Sequence, residues 1–121
     1  MQETKKLECF DSEDRDKICY EMKVHNNTVE IYKIYSDDNV TLLLKLEFTG
    51  DDTLKVSLVE KKNNKVTKYF GEVIAKQLSI YKLIEELKAV ENLQHLKSVL
   101  NEIIWKITWH VDDLFKYFII Y

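Results

Sequence analysis

Glycine, proline and arginine are scarce in this chain, and each shortage argues against a class of function. There is no proline, there are two glycines, and Arg15 is the single arginine among 18 basic residues. Glycine-rich loops that cradle phosphate groups are therefore not expected, which disfavours the familiar nucleotide-binding folds. Bidentate guanidinium contacts to phosphates and base edges are limited to one side chain. Because flexible linker composition is also missing, we expect a single domain over residues 1–121.

Long apolar runs and net positive charge are lacking as well. No stretch reaches the ~18 apolar residues that a membrane span needs, and residues 1–10 are polar where a signal peptide would be apolar. The formal net charge is −3, so the molecule as a whole does not attract nucleic acid or anionic lipid. We therefore expect no membrane partner and a cytoplasmic location, which would be the host cytoplasm if the chain is viral or phage-encoded.

Cysteine is limited to Cys9 and Cys19. In a reducing cytoplasm the two side chains would be free thiols, and their spacing matches neither a CxxC redox motif nor a zinc framework. Free cysteine is commonly a small buried hydrophobe, and that is the role we expect for both.

The residues that are present suit a folded core with a solvated exterior. Hydrophobic residues make up 45% of the chain and charged residues 32%, which places it outside the disordered class. Short runs rich in β-branched and aromatic residues alternate with turn-forming Asn, Asp and Gly. This pattern predicts strands at about 17–25, 28–35, 39–48, 53–60 and 65–70.

Alternation of apolar and polar residues predicts that one face of this sheet is buried. The second predicted strand, at about 28–35, alternates less cleanly. Apolar residues fall on both of its faces: Tyr32 and Ile34 on one, and Val29, Ile31 and Tyr35 on the other. That irregularity indicates a bulge or contacts on both faces. The residues predicted to share the buried face are Ile18, Tyr20, Met22, Val24, Leu42, Leu44, Leu46, Phe48, Leu54, Val56 and Leu58.

After Gly71 the apolar period becomes helical. A first helix can begin at Ser79 as its N-cap or nearer Glu72, and a longer apolar stripe then runs from Leu93 to Phe118. We therefore expect helices at about 72–90 and 93–118, with a break at about 89–92. The predicted fold class is α+β: an antiparallel β-meander of four to five strands over about 17–70, with the C-terminal helices packed on one face.

No motif in the sequence encodes a recognisable chemistry. His25, His95 and His110 each lack a second ligand at a metal-binding spacing. The acidic stretch at 11–16 lacks the glycine turn and the terminal glutamate of a calcium loop. We therefore expect no metal, no cofactor and no enzymatic activity, although folding can bring together carboxylates that are distant in sequence.

Trp105 and Trp109 are four positions apart and project away from the apolar stripe of the second helix. Asp112, Asp113 and Lys116 share that outer side. A large aromatic pair among charged neighbours is typical of a protein interface. The alternatives are that other parts of the same chain cover the two tryptophans, or that they line a ligand pocket.

Lys61, Lys62, Lys65 and Lys68 form a basic cluster, and Tyr69 follows it directly. Together these side chains could contact single-stranded nucleic acid through charge and stacking. A lysine-rich hairpin is more often a device that keeps a sheet edge soluble.

These patterns support two functional hypotheses from different classes. The first is a non-enzymatic protein-binding module, such as a small inhibitor of the immunity or anti-defence kind (toxin immunity, anti-CRISPR-like), with Trp105 and Trp109 in its interface. The second is a single-stranded nucleic-acid-binding protein that uses the lysine-rich hairpin and the sheet face. A homodimer through the C-terminal helix is a further prediction.

Overall fold

The structure of the protein is a computed structural model. It describes residues 2–11, 17–36, 40–48, 54–62, 65–68, 73–75, 80–106 and 118. Within the helices and strands, side chains are described except at positions 2, 3, 67, 68, 73–75, 80, 81, 83, 84 and 104–106.

The described part of the chain contains seven strands followed by two helices. The strands are β1 Gln2–Phe10, β2 Ile18–His25, β3 Thr28–Tyr35, β4 Val40–Phe48, β5 Leu54–Lys62, β6 Lys65–Lys68 and β7 Val73–Ala75. The helices are α1 Ile80–Lys88 and α2 Leu93–Lys106.

The strands form one antiparallel sheet in the order in which they occur along the chain. Strands β6 and β7 both pair with the same side of β5, so the sheet is six strands wide. The predicted α+β class and the antiparallel meander are confirmed. The sheet is wider than the four to five strands expected, because β1 adds an edge strand before the region in which strands were predicted.

One face of the sheet, which we call the inner face, is buried beneath the helices. The strand residues predicted to be buried are all buried in one hydrophobic cluster, with Leu44, Leu46 and Leu58 fully inaccessible. The helices and the connection between them complete this cluster with Leu87, Val90, Leu93, Leu96, Val99, Leu100 and Ile103. Burial of apolar area between sheet and helices is therefore the main source of stability.

The second predicted strand, β3, is regular, so of the two alternatives the bulge is wrong. Pairing of β3 with both of its neighbours advances one residue at a time over its whole length. The alternation looked irregular because the apolar Tyr32 and Ile34 lie, half-buried, on the face opposite the core, while Lys33 occupies a position on the inner face, where it is only 3% exposed. Its ammonium donates a hydrogen bond to the backbone oxygen of Phe118 at 3.4 Å and lies 5.6 and 5.4 Å from the ring centres of Tyr20 and Tyr35. The lysine thus helps to hold Phe118 against the sheet.

The predicted helix at about 72–90 is too long at its beginning. Residues Val73–Ala75 form strand β7, which pairs with β5, and α1 begins at Ile80. Pairing with an existing strand satisfies backbone groups that an isolated helical turn would leave free, and this outweighs a weak local preference.

The break between the helices is confirmed. The side-chain oxygen of Asn92 accepts a hydrogen bond from the backbone N–H of His95 at 2.8 Å, which makes Asn92 the N-cap of α2. The helix predicted at about 93–118 is present up to Lys106, and Phe118 is helical and buried. Residues 107–117 lie outside the described part of the chain.

Lys5 connects the first strand to the helical layer. Its ammonium donates hydrogen bonds to the backbone oxygens of Lys88 and Val90, the latter at 3.4 Å. A cation in this place also complements the negative end of the α1 dipole. The edge strand β1 is therefore tied to the end of α1 as well as to β2.

Candidate interaction surface

The opposite face of the sheet, which we call the outer face, contains no member of the buried core found in the described residues. Apart from His25 and Lys61, which are exposed, its side chains on β2 to β5 are half-buried by their neighbours, as expected for a sheet surface that faces outwards. One line of cross-strand neighbours, which we call the charged row, consists of Lys23, Glu30, Lys45 and Ser57.

Beside the charged row, an apolar band drawn from two adjacent lines of cross-strand neighbours crosses the outer face, and the same two lines also contain Glu21, Thr41 and Lys61. Tyr32 is paired with Leu43, and Leu43 is paired with Val59, so the centre of the band is continuous. At one end Ile34 is paired with Cys19, and at the other Val66 lies on β6, 63% exposed. We define the apolar band as Cys9, Cys19, Tyr32, Ile34, Leu43, Val59 and Val66.

Tyr32 is held in place near the centre of the band. Its hydroxyl donates a hydrogen bond to a carboxylate oxygen of Glu30 at 2.7 Å, and the ammonium of Lys23 lies 5.0 Å from its ring centre. Burial, and then the hydrogen bond to Glu30 and the charges of Glu30 and Glu21, raise the pKa of Tyr32 to about 12. Tyrosine, with tryptophan and arginine, is among the side chains that most often dominate the binding energy of protein interfaces.

The raised pKa of Tyr32 predicts a loss of stability in alkaline solution. The unfolded phenol ionises near its ordinary pKa of 10.0, whereas the folded phenol stays protonated until about pH 12. This contribution to stability is therefore present below pH 10 and is lost as the pH rises through the folded value. Burial also raises the pKa of Tyr20, which acts in the same direction.

The contribution of Tyr32 is isolated by Tyr32→Phe. We expect the free energy of unfolding of this variant to decrease less between about pH 9 and pH 12 than that of the wild-type protein. Urea unfolding at a series of pH values measures the difference. Equal slopes for the two proteins would show that Glu30 and Tyr32 do not interact as described.

A disulfide bond between Cys9 and Cys19 forms one end of the apolar band, so the expectation of two reduced, buried thiols is wrong. The two residues are direct partners in the pairing of β1 with β2, with Cα atoms 4.1 Å apart. Cys9 is exposed and Cys19 is half-buried on the outer face. The pairing register shifts between Lys6 and Glu8, and this bulge brings Cys9 opposite Cys19.

Both edges of the sheet carry features that discourage pairing with another strand. The edge strand β1 has the bulge and the exposed side chain of Lys6. At the other edge, Lys65 on β6 is exposed. The pairing register of β5 also shifts by two residues between its partner β6 and its partner β7. Charges, bulges and interruptions of this kind protect sheet edges, so the outer face is the more suitable surface for association.

The residues predicted from sequence to bind a protein partner lie almost entirely outside the described part of the chain. Trp105 is in the last turn of α2, but its side chain is not described, and Trp109, Asp112, Asp113 and Lys116 lie in the undescribed segment. The apolar stripe of α2 is buried inside the molecule as far as Ile103. The described part of this helix thus offers no apolar stripe to a second copy, and the predicted helix-mediated dimer stays a prediction.

The lysine-rich hairpin is exposed, but its described lysines are divided between the two faces. Lys61 pairs with Thr41 and lies on the outer face, whereas Lys62 and Lys65 pair with each other on the inner side. Lys68 is opposite Val59, and Tyr69 lies outside the described residues. The structure therefore does not place the described lysines on one surface that could follow a nucleic-acid strand.

Among the described residues there is neither a metal site nor a membrane-spanning helix. No group of three or more His, Cys, Asp or Glu side chains among them could hold a metal ion. None of the described helices has both the length and the apolar character needed to cross a membrane.

Comparison with known proteins does not identify relatives. No family model matches the chain, and neither a curated protein nor a solved structure is significantly similar to it. Function is therefore inferred from the surface alone.

Proposed function

We propose that this protein is a non-catalytic module that binds a protein partner through the outer face of its sheet. The observation that supports this most strongly is the apolar band, which spans six strands on the face opposite the core and has the fixed side chain of Tyr32 near its centre. Apolar anchors surrounded by charged residues are the usual composition of a recognition surface. The charged row beside the band supplies the polar margin.

The more specific role of an inhibitor of the immunity or anti-defence kind stays a prediction. It is supported by a net charge of −3 and by the lack of a catalytic motif in the sequence. A cytoplasmic location also stays a prediction, and in that compartment the Cys9–Cys19 bond would be subject to reduction. Capture of an enzyme by the outer face would support the inhibitor role.

The proposal is tested by affinity capture from lysate of the source cells with tagged wild-type protein and the variant Leu43→Glu. Leu43 is the centre of the apolar band, so a carboxylate there should prevent binding while leaving the inner face intact. The matched control is His95→Asp on the exposed surface of α2. We expect a protein that is retained by the wild type and the control and is lost with Leu43→Glu.

Nuclease treatment separates this proposal from the nucleic-acid alternative. A protein partner should survive digestion, whereas material bound through nucleic acid should be lost. Retention of the same partner by Leu43→Glu and the wild type would contradict binding through the outer face. Capture that depends on nucleic acid and is lost on Lys61→Glu with Lys65→Glu would support the alternative instead.

A further inference from the structure

We infer that the partner of the outer face in the purified protein is a second copy of this chain, related by a two-fold axis that runs parallel to the strands between β3 and β4. This inference rests on the proposed function, because it assigns an occupant to the same surface. It follows from the register of the sheet, from the area of the face and from the protection of both edges.

The register makes the outer face complementary to itself. The sheet is six strands wide, so its midline falls between β3 and β4. A two-fold axis along this midline places β3 of one copy over β4 of the other, at the same level along the strands. Residues that are direct partners within one chain then face each other across the interface as well, and the contacts are reciprocal, as an isologous interface requires.

The facing residues next to the axis match in chemistry. Glu30 is paired with Lys45, so each glutamate would meet the lysine of the other copy. Tyr32 is paired with Leu43, so the centre of the apolar band would meet itself. Each contact occurs twice because of the symmetry. These positions lie next to the axis, at the centre of the sheet's width.

The poorer matches lie away from the axis. His25 on β2 and Lys55 on β5 share a level along the strands and are equally far from the midline, so they would approach each other across the interface. By the same register, Lys6 on β1 is level with Lys68 on β6, and Glu21 on β2 is level with Val59 on β5. The two like-charge pairs lie at the rim of the face, where solvent screens repulsion between charges. The central contacts therefore decide the pairing.

The area of the outer face is sufficient for a stable dimer. Six strands at a spacing of about 4.8 Å give a width of about 29 Å, and eight residues per strand, as in β2 and β3, give a length of about 27 Å. Each copy would thus contribute on the order of 700 Å². Specific interfaces bury about 800 Å² on each partner, with a wide spread, so the face falls in this range.

Reversing the charge of Glu30 or of Lys45, the pair next to the axis, tests the inference with the full purified chain. Glu30→Lys alone brings lysine against lysine twice across the axis, and Lys45→Glu alone brings glutamate against glutamate twice. We expect each variant to dimerise at least tenfold more weakly than the wild type in sedimentation equilibrium. An equimolar mixture of the two variants restores both opposite-charge contacts between copies, and it should form a heterodimer within about threefold of wild-type affinity.

The mixture also separates contacts between chains from contacts within a chain. Glu30 and Lys45 are cross-strand neighbours in one molecule, so each variant keeps its repulsion within the chain when the two are mixed. Recovery in the mixture therefore reports contacts between copies, and it remains interpretable if the single variants are less stable. Failure of the mixture to recover would overturn the inference, as would a wild-type protein that sediments as a monomer at high micromolar concentration.

This outcome is independent of the test of the proposed function. A monomeric wild-type protein whose capture of another protein is lost with Leu43→Glu would overturn the self-association and keep the proposed function. A dimer that persists unchanged in Leu43→Glu would place the dimer contact on another surface. Capture of a partner that is unaffected by Leu43→Glu would overturn the proposed function without bearing on the sedimentation result.

Discussion

Replacement of Leu44 by alanine should lower the free energy of unfolding by about 2–5 kcal/mol, whereas the same change at its neighbour Leu43 should cost about 1 kcal/mol or less. Leu44 is fully buried on the inner face of the central strand β4. Truncation there removes apolar contacts and leaves a cavity that the surrounding strands and helices can fill only partly. Leu43 points to the outer face and is half-buried, so its truncation leaves no enclosed cavity.

The pair is a matched comparison because the two changes remove the same atoms from adjacent positions of one strand. Urea unfolding followed by circular dichroism measures both values. Since whole domains of this size are stabilised by about 5–15 kcal/mol, the change at Leu44 should be easily detected. Equal losses at the two positions would show that both faces of the sheet are buried in the protein, and this would contradict the outer face described above.

Removal of the disulfide should cost about 2–3 kcal/mol of stability. The bond joins residues 10 positions apart, and in the chain-entropy model a closed loop of this size restricts the unfolded ensemble by about that amount. It also anchors the edge strand β1, whose pairing with β2 is interrupted by the bulge after Lys6. We therefore expect Cys9→Ser with Cys19→Ser to retain the fold and to unfold at a lower urea concentration.

Reduction supplies the control for this prediction. Dithiothreitol should destabilise the wild-type protein by a similar amount and should leave the doubly substituted variant unchanged. Titration with a thiol reagent before and after denaturation determines whether the bond is formed. Two reactive thiols in the untreated protein, together with equal stability of wild type and variant, would contradict the disulfide.

The fold was predictable where the hydrophobic period was unbroken. Leu44, Leu46 and Phe48 are separated by the polar Lys45 and Glu47, and this alternation requires one buried face and one exposed face whatever the remaining topology. The apolar stripe of α2 was predictable for the same reason at the helical period. In each case a single repeated spacing determines which residues can be buried together.

The misinterpreted features lie where one residue breaks the period or where pairing depends on distant segments. The alternation of β3 was obscured by Lys33, a charged residue on the inner face. The strand β1 was missed because its first five residues, 2–6, are all polar and show no apolar period. Pairing of β7 with β5 depends on a strand nearly twenty residues away, as the match of Lys55 with Ile74 shows. No local pattern reports such a contact.

The candidate surface was only partly visible in the sequence. Cys19 alternates in phase with Glu21 and Lys23, which are polar, so its position on the outer face was available as a signal against a buried thiol. The apolar band was not visible, because its members come from separate strands and become neighbours only through the register. The prediction for Trp105 and Trp109 remains open.

Side-chain footprinting with hydroxyl radicals is the measurement that most directly tests whether the outer face is the association surface. Tyr32 serves as the reporter on that face, and His95, exposed on α2, serves as the reference on the helical side. As the protein associates, with a captured partner or with itself at increasing concentration, the modification rate of Tyr32 should fall while that of His95 stays constant. Protection of His95 with an unchanged rate at Tyr32 would place the interface on the helices and contradict the account.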